Sequence, residues 1–332
     1  MFRSVPQIVS WSALAVGVLL FLVTLARIDL DETLNSVGAL GLAFPVLLLP
    51  SACWQLLRTW GWSVAFPDHA RPTFGHLFRV RMATDAIGFF TVRGITGEPL
   101  KVVLLYDRVT PSITTAAIAL ERMAFAVISL VLAGVVSWVA VRRLTMPGAW
   151  DAVFTIVSIA TVVVVIILAQ VARRRTGDYL GRVVQRIGRL TGRALETSRI
   201  VRFILDVEDI LLELLRGDRR RLIILTVLPV VCYLISAFEV WFVLWAVGEP
   251  ISVTAALAID TFVRLASIAY APIPGGLGAL EASNVAPVAM LGLGGGGVLA
   301  FVRRVKGLVW AAIGLACYPK VTPRPTTPSP AR

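Results

Sequence analysis

The sequence has few of the residues from which enzyme active sites are built. It contains two histidines, His69 and His76, and three cysteines, Cys53, Cys232 and Cys317, which lie far apart in apolar segments. Their spacing matches no metal site and no disulfide framework, so we predict no metal site and no bound cofactor. The motifs of serine hydrolases, zinc proteases and P-loop ATPases are also missing, and no catalytic residue is predicted.

Charge is scarce as well. Only 16% of the residues are charged, 57% are hydrophobic, and the mean hydropathy is +0.82. Several apolar runs reach about 20 residues, the length that crosses roughly 30 Å of hydrocarbon. We therefore predict an all-α, polytopic integral membrane protein with one membrane domain over residues 1–318. A proline-rich tail at 319–332 is expected to be disordered.

Six apolar stretches predict full membrane spans. The loop 27–33 is acidic and is expected outside, whereas the loops 67–81 and 172–221 are basic and are expected in the cytoplasm. Both termini are then cytoplasmic. The predicted spans are 8–26, 37–66, 113–141, 151–171, 222–247 and 298–318.

The region 172–221 is the one large polar segment. It holds thirteen arginines against seven acidic residues, a balance of +6 within the net charge of +12 for the chain. Arg182, Arg186, Arg189 and Arg193 recur at helical spacing, which is typical of an amphipathic helix on an anionic membrane surface. No aromatic platform accompanies the arginines, so we predict no nucleic-acid binding.

A second kind of apolar segment is interrupted by glycine and proline. Residues 270–284 read YAPIPGGLGALEASN and place Glu281 just after two prolines and three glycines. A broken helix at membrane depth survives only where it is buried in protein or lines a wet cavity. We interpret 254–291 as a re-entrant helical hairpin; the alternative is a short loop outside the membrane.

A matching interruption occurs in the first half of the chain. Residues 77–106 contain the break RGITGEPLK with Glu98, between two short apolar faces. If the basic loops are cytoplasmic, the number of membrane crossings requires this hairpin to enter from the cytoplasm and the hairpin at 254–291 to enter from outside. Paired broken segments of this kind point to an inverted-repeat transporter with a site near the midplane. Two irregular loops with accidental symmetry are the alternative.

Ionisable residues inside the apolar segments are the main chemical signal. Each costs about 2.5–3.5 kcal/mol near the bilayer centre, so they must pair with one another or line a polar cavity. Asp260 and Arg264, four residues apart, are expected to pair, and Arg303 and Arg304 are expected to reach an interface. Arginine is prominent among them and binds phosphate in a fork geometry, which favours an anionic headgroup. The predicted substrate-binding residues are Arg93, Glu98, Lys101, Arg108, Glu121, Arg122, Asp260, Arg264, Pro274, Gly275, Gly276 and Glu281.

The order of these motifs resembles a known family. GITGEPLK, the following Arg108, ERMAF at Glu121 and Arg122, APIPGGLGALE and FVRR occur in this order over about residues 8–318. The pattern is similar to that of the flippase-like family related to the transmembrane region of lysylphosphatidylglycerol synthase, also called the multiple peptide resistance factor. The resemblance implies a bacterial inner-membrane protein that binds or translocates a phospholipid or isoprenoid lipid. In the full-length synthase a soluble aminoacyl-transferase domain follows the membrane part; no such domain is expected after Tyr318, and we do not expect this chain itself to make lysylphosphatidylglycerol.

Three functions remain open at this point. The first is a lipid flippase or transporter, and the second is a membrane-embedded lipid-modifying enzyme or an accessory subunit of one. Short members of the resembled family include hopanoid-associated proteins, so both a phospholipid and an isoprenoid lipid remain possible cargoes. The third is a scaffold that holds a partner through 172–221. As protein partners we expect either a second copy of the chain, in a homodimer, or a partner lipid enzyme.

Overall fold

The computed structural model describes residues 41, 43–91, 96–173, 203, 206–207, 209–210, 212–214, 219–269 and 278–319. Five of the predicted features lie outside these residues. They are the span at 8–26, the acidic loop 27–33, the central residues of the two breaks (92–95 and 270–277), most of the basic region 172–221, and the tail after residue 319.

The described part of the chain is helical and contains no strand. Nine α-helices and one 3-10 turn, Asp68–Ala70, have bounds within it. The α-helices are α1 Ala43–Val64, α2 Phe74–Phe90, α3 Gly97–Leu104, α4 Pro111–Arg143, α5 Gly148–Arg173, α6 Arg219–Ala246, α7 Val253–Ala269, α8 Ala279–Met290 and α9 Gly296–Ala316.

Three of these helices, α4, α5 and α6, are long and apolar enough to cross a membrane by length and composition. They correspond to the predicted spans at 113–141, 151–171 and 222–247. Pro111 opens α4, where the missing amide hydrogen costs nothing, and the 33 residues of this helix extend about 50 Å. The chain is therefore a helical membrane protein, as its composition predicts.

Both interrupted segments form a longer helix followed by a shorter one. In the first, α2 has 17 residues and α3 has 8; in the second, α7 has 17 residues and α8 has 12. Helices as short as α3 and α8 extend only about 12 and 18 Å, less than a hydrocarbon core. Gly278 caps α8 with a positive φ of 74°, a conformation that glycine adopts without strain.

Two apolar clusters hold the helices together, and α1 and α6 contribute to both. Leu47, near the start of α1, packs in the cluster that contains Val243 near the end of α6. Trp62, near the end of α1, packs in the cluster that contains Leu225 near the start of α6. The two helices therefore pack antiparallel. Leu214, a described residue of the basic region, is also buried in the second of these clusters.

The helices α2 and α9 approach each other closely. A Cβ atom built on Gly314 would collide with the backbone carbonyl of Met82 and lie 2.9 Å from the Cβ of Ala86. Glycine at this position lets the two backbones meet without a side chain between them. The contact fixes α9 against the first interrupted segment and so places the charges of both helices around one space.

Candidate functional site

A cavity of about 480 Å³ lies between the helices of the first half, α1 to α4, and those of the second, α6 to α9. Its volume is within the range of small-molecule binding sites. Six cations and four carboxylates line it, which gives the wall a formal net charge of +2 among the described residues. The cations are Arg58, Arg81, Arg122, Arg264, Arg303 and Lys306, and the carboxylates are Asp85, Glu98, Glu239 and Asp260.

Two buried arginines form the deep wall of the first half. Arg58 on α1 lies 2.8 Å from Glu121 on α4, and both side chains are almost fully buried. Arg81 on α2 lies 3.4 Å from Asp85 one turn later and donates a hydrogen bond to the carbonyl of Arg58 at 3.3 Å. The guanidinium of Arg58 also stacks 3.8 Å from the ring centre of Phe125. Charge pairing and aromatic contact together offset the cost of burying these cations.

Glu98 joins the short helix α3 to α4. Its carboxylate accepts hydrogen bonds from Lys101 on the same helix, at 3.1 Å, and from Arg122 on α4. Lys101 is buried, whereas the Arg122 side chain is 46% exposed, the largest fraction among the cavity cations that form ion pairs. Arg122 also lies 4.0 Å from Glu121. It therefore presents to the cavity a cation that is held by carboxylates on one side but is open to a ligand.

Asp260 on α7 is the centre of the charge network in the second half. It accepts hydrogen bonds from Arg264 at 2.7 Å, from Arg303 on α9 at 2.8 Å and from Ser236 on α6 at 2.8 Å. Arg303 also donates to Asn284 on α8 at 3.0 Å. One carboxylate thus ties the helices α6, α7 and α9 together, and its Arg303 partner adds α8.

The remaining charges of this half also form pairs across helices. Glu239 on α6 binds Lys306 on α9, and Arg303 lies 4.0 Å from the same carboxylate. Arg304 on α9 donates to Glu281 on α8 at 2.8 Å. The predicted pairing of Asp260 with Arg264 is present, but the expectation that Arg303 and Arg304 reach an interface is corrected. Partners on neighbouring helices hold both side chains, which are 12% and 10% exposed.

Aromatic side chains lie in the cavity wall, as Trp54 and Trp310 do, or contact a residue of that wall, as Tyr233 does. Trp310 on α9 donates a hydrogen bond to the hydroxyl of Ser51 on α1 at 2.8 Å. The guanidinium of Arg264 lies 4.4 Å from the ring centre of Tyr233. Trp54 lies 5.4 Å from the guanidinium of Arg58. The cavity therefore combines apolar surface with cations whose positions are fixed by stacking and ion pairs.

The structure brings together part of the predicted site. Glu98, Arg122, Asp260 and Arg264 line the cavity. Lys101 and Glu121 stand behind its wall, where they bind Glu98 and Arg58.

Other predicted site residues lie elsewhere. Glu281 pairs with Arg304 but is not part of the cavity lining, and Arg108 is half exposed in the loop after α3, 3.9 Å from Asp107. The predicted residues Arg93, Pro274, Gly275 and Gly276 lie outside the described residues.

Six charged residues of the lining were not predicted as site residues. They are Arg58, Arg81, Asp85, Glu239, Arg303 and Lys306. Each interrupts an apolar run, and this was the signal that could have identified them. Arg81 and Asp85 pair within α2, but the partners of the other four lie on other helices, up to 67 residues away for Glu239 and Lys306. The sequence therefore did not indicate which of these residues share a cavity.

The model of the family described as "Lysylphosphatidylglycerol synthase TM region" matches residues 10–316. The match spans both interrupted segments and every charged residue of the cavity lining. No curated protein and no solved structure matches the chain.

Proposed function

Because the chain belongs to the lysylphosphatidylglycerol synthase TM-region family, we propose that it is a lipid transporter of the flippase type. It binds the headgroup of an anionic phospholipid or isoprenoid lipid in the central cavity and moves it across the membrane. Movement is passive or ion-coupled.

The observation that carries this proposal is the excess of cations in the cavity wall. A lining with six cations and four carboxylates favours a ligand with negative charge. Five of the six cations are arginines, which hold phosphate oxygens through two parallel hydrogen bonds. Arg122 is the strongest candidate for the first contact, because its side chain is 46% exposed although it pairs with Glu98 and lies 4.0 Å from Glu121.

The apolar part of the cavity supports a lipid rather than a free ion or a sugar. Trp54 and Trp310 line the same space as the arginines, together with Met82 and Leu280. Contact of this apolar surface with a fully hydrated solute contributes little binding free energy. Contact with the first carbons of an acyl or isoprenoid tail buries apolar area on both sides and is favourable. The acyl chain is expected to leave the cavity between helices toward the bilayer.

We place the protein in the bacterial inner membrane with six full spans and two re-entrant hairpins. The hairpins are α2 with α3 and α7 with α8, which enter from opposite sides, and both termini are cytoplasmic. The basic region 172–221 lies on the cytoplasmic membrane surface, where anionic lipids attract it. This placement puts the cavity near the bilayer midplane, within reach of both leaflets.

Lipid scrambling in vesicles that contain only the purified protein tests the proposal. We expect labelled anionic or isoprenoid lipids to exchange between leaflets faster than in empty vesicles. Arg122→Gln should lose most of this activity, and Asp68→Asn, in an ion pair on the surface, should keep it. The absence of exchange for every lipid tested would refute transport by the chain alone.

A membrane-embedded lipid-modifying enzyme, or an accessory subunit of one, is the second candidate. The family description favours it, since it names the membrane part of a synthase. Lipid extracts from cells with and without the protein would then differ in a modified lipid. Copurification with a lipid enzyme would point to the accessory role, whereas a homodimer alone would not.

A further inference from the structure

The two halves of the molecule share one pattern of helix contacts. The correspondence pairs α1 with α6, α2 with α7, α3 with α8 and α4 with α9. Within each half the same neighbours meet: the first helix contacts the second and the fourth, the second contacts the third, and the third contacts the fourth. Between the halves, α2 packs on α9 as α7 packs on α4. Because α1 and α6 pack antiparallel, the two units are related by an inversion of direction.

Charged residues occupy equivalent positions in α2 and α7. Both helices have 17 residues, and each carries an ion pair at its eighth and twelfth positions. The pair is Arg81 with Asp85 in α2 and Asp260 with Arg264 in α7. The positions agree, whereas the signs are reversed.

The first and fourth helices of each half repeat this relationship. Arg58 on α1 faces Glu121 on α4 at 2.8 Å, and Glu239 on α6 faces Arg303 on α9 at 4.0 Å. The acid and the base have again changed places. An ion pair that only holds two helices together stabilises them equally well whichever helix carries the acid. The reversed order of these pairs is therefore consistent with a purely structural role.

One pair keeps its order in both halves. Glu98 on the short helix α3 binds Arg122 on α4, and Glu281 on the short helix α8 binds Arg304 on α9. The partners are 24 residues apart in the first case and 23 in the second. The retained order indicates that the sign of the charge matters at this position, as it does where a ligand of fixed charge binds.

The two pairs differ in their surroundings. Glu98 and Arg122 line the cavity, whereas Glu281 and Arg304 are not part of its lining. The arginines differ most: the side chain of Arg122 is 46% exposed and that of Arg304 is 10% exposed, whereas Glu98 is 21% and Glu281 is 41% exposed. In an inverted-repeat transporter, equivalent residues of the two repeats exchange surroundings when the protein changes from the state open to one side of the membrane to the state open to the other.

We infer that Glu281 and Arg304 are the counterpart of Glu98 and Arg122, and that the cavity opens at one of these pairs at a time. This structure is the state open at Glu98–Arg122. In the alternate state Arg304 is exposed to the cavity and meets the anionic headgroup, while Arg122 withdraws. The inference deepens the proposed transport function and rests on it for the identity of the ligand.

Accessibility of one reporter thiol from each side of the membrane tests the inference. Ser267 lines the cavity and is changed to cysteine in a chain whose three native cysteines are alanine. A membrane-impermeant thiol reagent is applied to right-side-out and to inside-out vesicles. Glu98→Gln loosens one pair and Glu281→Gln the other, so the two changes should shift the ratio of the labelling rates in opposite directions. A shift of about fivefold is expected for loss of a partly exposed ion pair.

Arg122→Gln and Arg304→Gln break the same two pairs from the other side and should reproduce the two opposite shifts. Asp68→Asn should leave the ratio unchanged. Shifts in the same direction, or no shift in any properly folded variant, would overturn the inference. Labelling does not require a lipid to move. Opposite shifts without scrambling would therefore contradict the proposed transport function but support the inference that the cavity opens at one pair at a time. Scrambling without opposite shifts would support transport and contradict the inference.

Discussion

Arg303 on α9 donates a hydrogen bond to Asp260 on α7 at 2.8 Å, although 43 residues separate the two in the chain. Asp260 is almost fully buried and also accepts from Arg264. Its one negative charge is shared by two arginines. Both arginines therefore depend on the same carboxylate.

Asp260→Asn should destabilise the protein strongly. The substitution keeps the shape of the side chain but leaves Arg264 and Arg303 without their shared counter-charge. Breaking a buried pair in this way costs about 3–5 kcal/mol. Thermal unfolding in detergent measures the effect. Asp68→Asn is the matched control, since Asp68 is 79% exposed and its pairing is worth about 0–1 kcal/mol; equal melting temperatures for the two variants would contradict the prediction.

The ion pair of Arg58 with Glu121 should tolerate reversal better than loss. Arg58→Glu alone and Glu121→Arg alone each bring like charges together in a buried place. The double variant restores a pair in the order seen at Glu239 and Arg303. We expect a favourable coupling of about 0.5–3 kcal/mol in a double-mutant cycle of thermal stability. Additive losses in the double variant would show that the order of the charges is fixed.

Gly314→Ala should loosen the contact between α9 and α2. The new methyl group would collide with the carbonyl of Met82, which belongs to the backbone and cannot rotate away. Overpacking of this kind costs about 1–3 kcal/mol. Gly75→Ala is the control, because a Cβ there meets nothing within 4 Å. A melting temperature of Gly314→Ala equal to that of the control would show that the helices can separate without cost.

Glu249 should stabilise the start of α9. Its carboxylate accepts the backbone amides of Gly294 and Gly295, each at 2.8 Å, in the turn that opens the helix. Glu249→Gln removes the charge that favours this helix terminus and should cost about 1 kcal/mol. Hydrogen exchange of the first turn of α9 would reveal faster opening in the variant. Unchanged protection of these amides would exclude the capping role.

The sequence predicted the helices better than the site. Apolar runs define α4, α5 and α6 to within about three residues, since hydrophobic length alone determines a span. The same reasoning found the interruption that separates α2 from α3, because glycine and proline break a helix locally.

Partners in the site could be predicted only where they lie on one helix. Asp260 and Arg264 are four residues apart and were expected to pair, as they do. Lys306 and Glu239 meet only because α6 and α9 pack together, and no local pattern indicates that contact. The prediction that Arg303 reaches an interface was wrong for the same reason. Its partner Asp260 lies on another helix, so the sequence did not show that Arg303 has a buried counter-charge.

The most direct test of lipid transport compares two labelled lipids in protein-only vesicles. Both have the same tails, and one headgroup is anionic whereas the other is zwitterionic. We predict that the wild-type protein moves the anionic lipid faster and that Arg122→Gln lowers this rate more than the zwitterionic one, because the headgroup meets Arg122 in the cavity. Equal rates for both lipids, unaffected by the substitution in a folded protein, would contradict transport through the charged cavity.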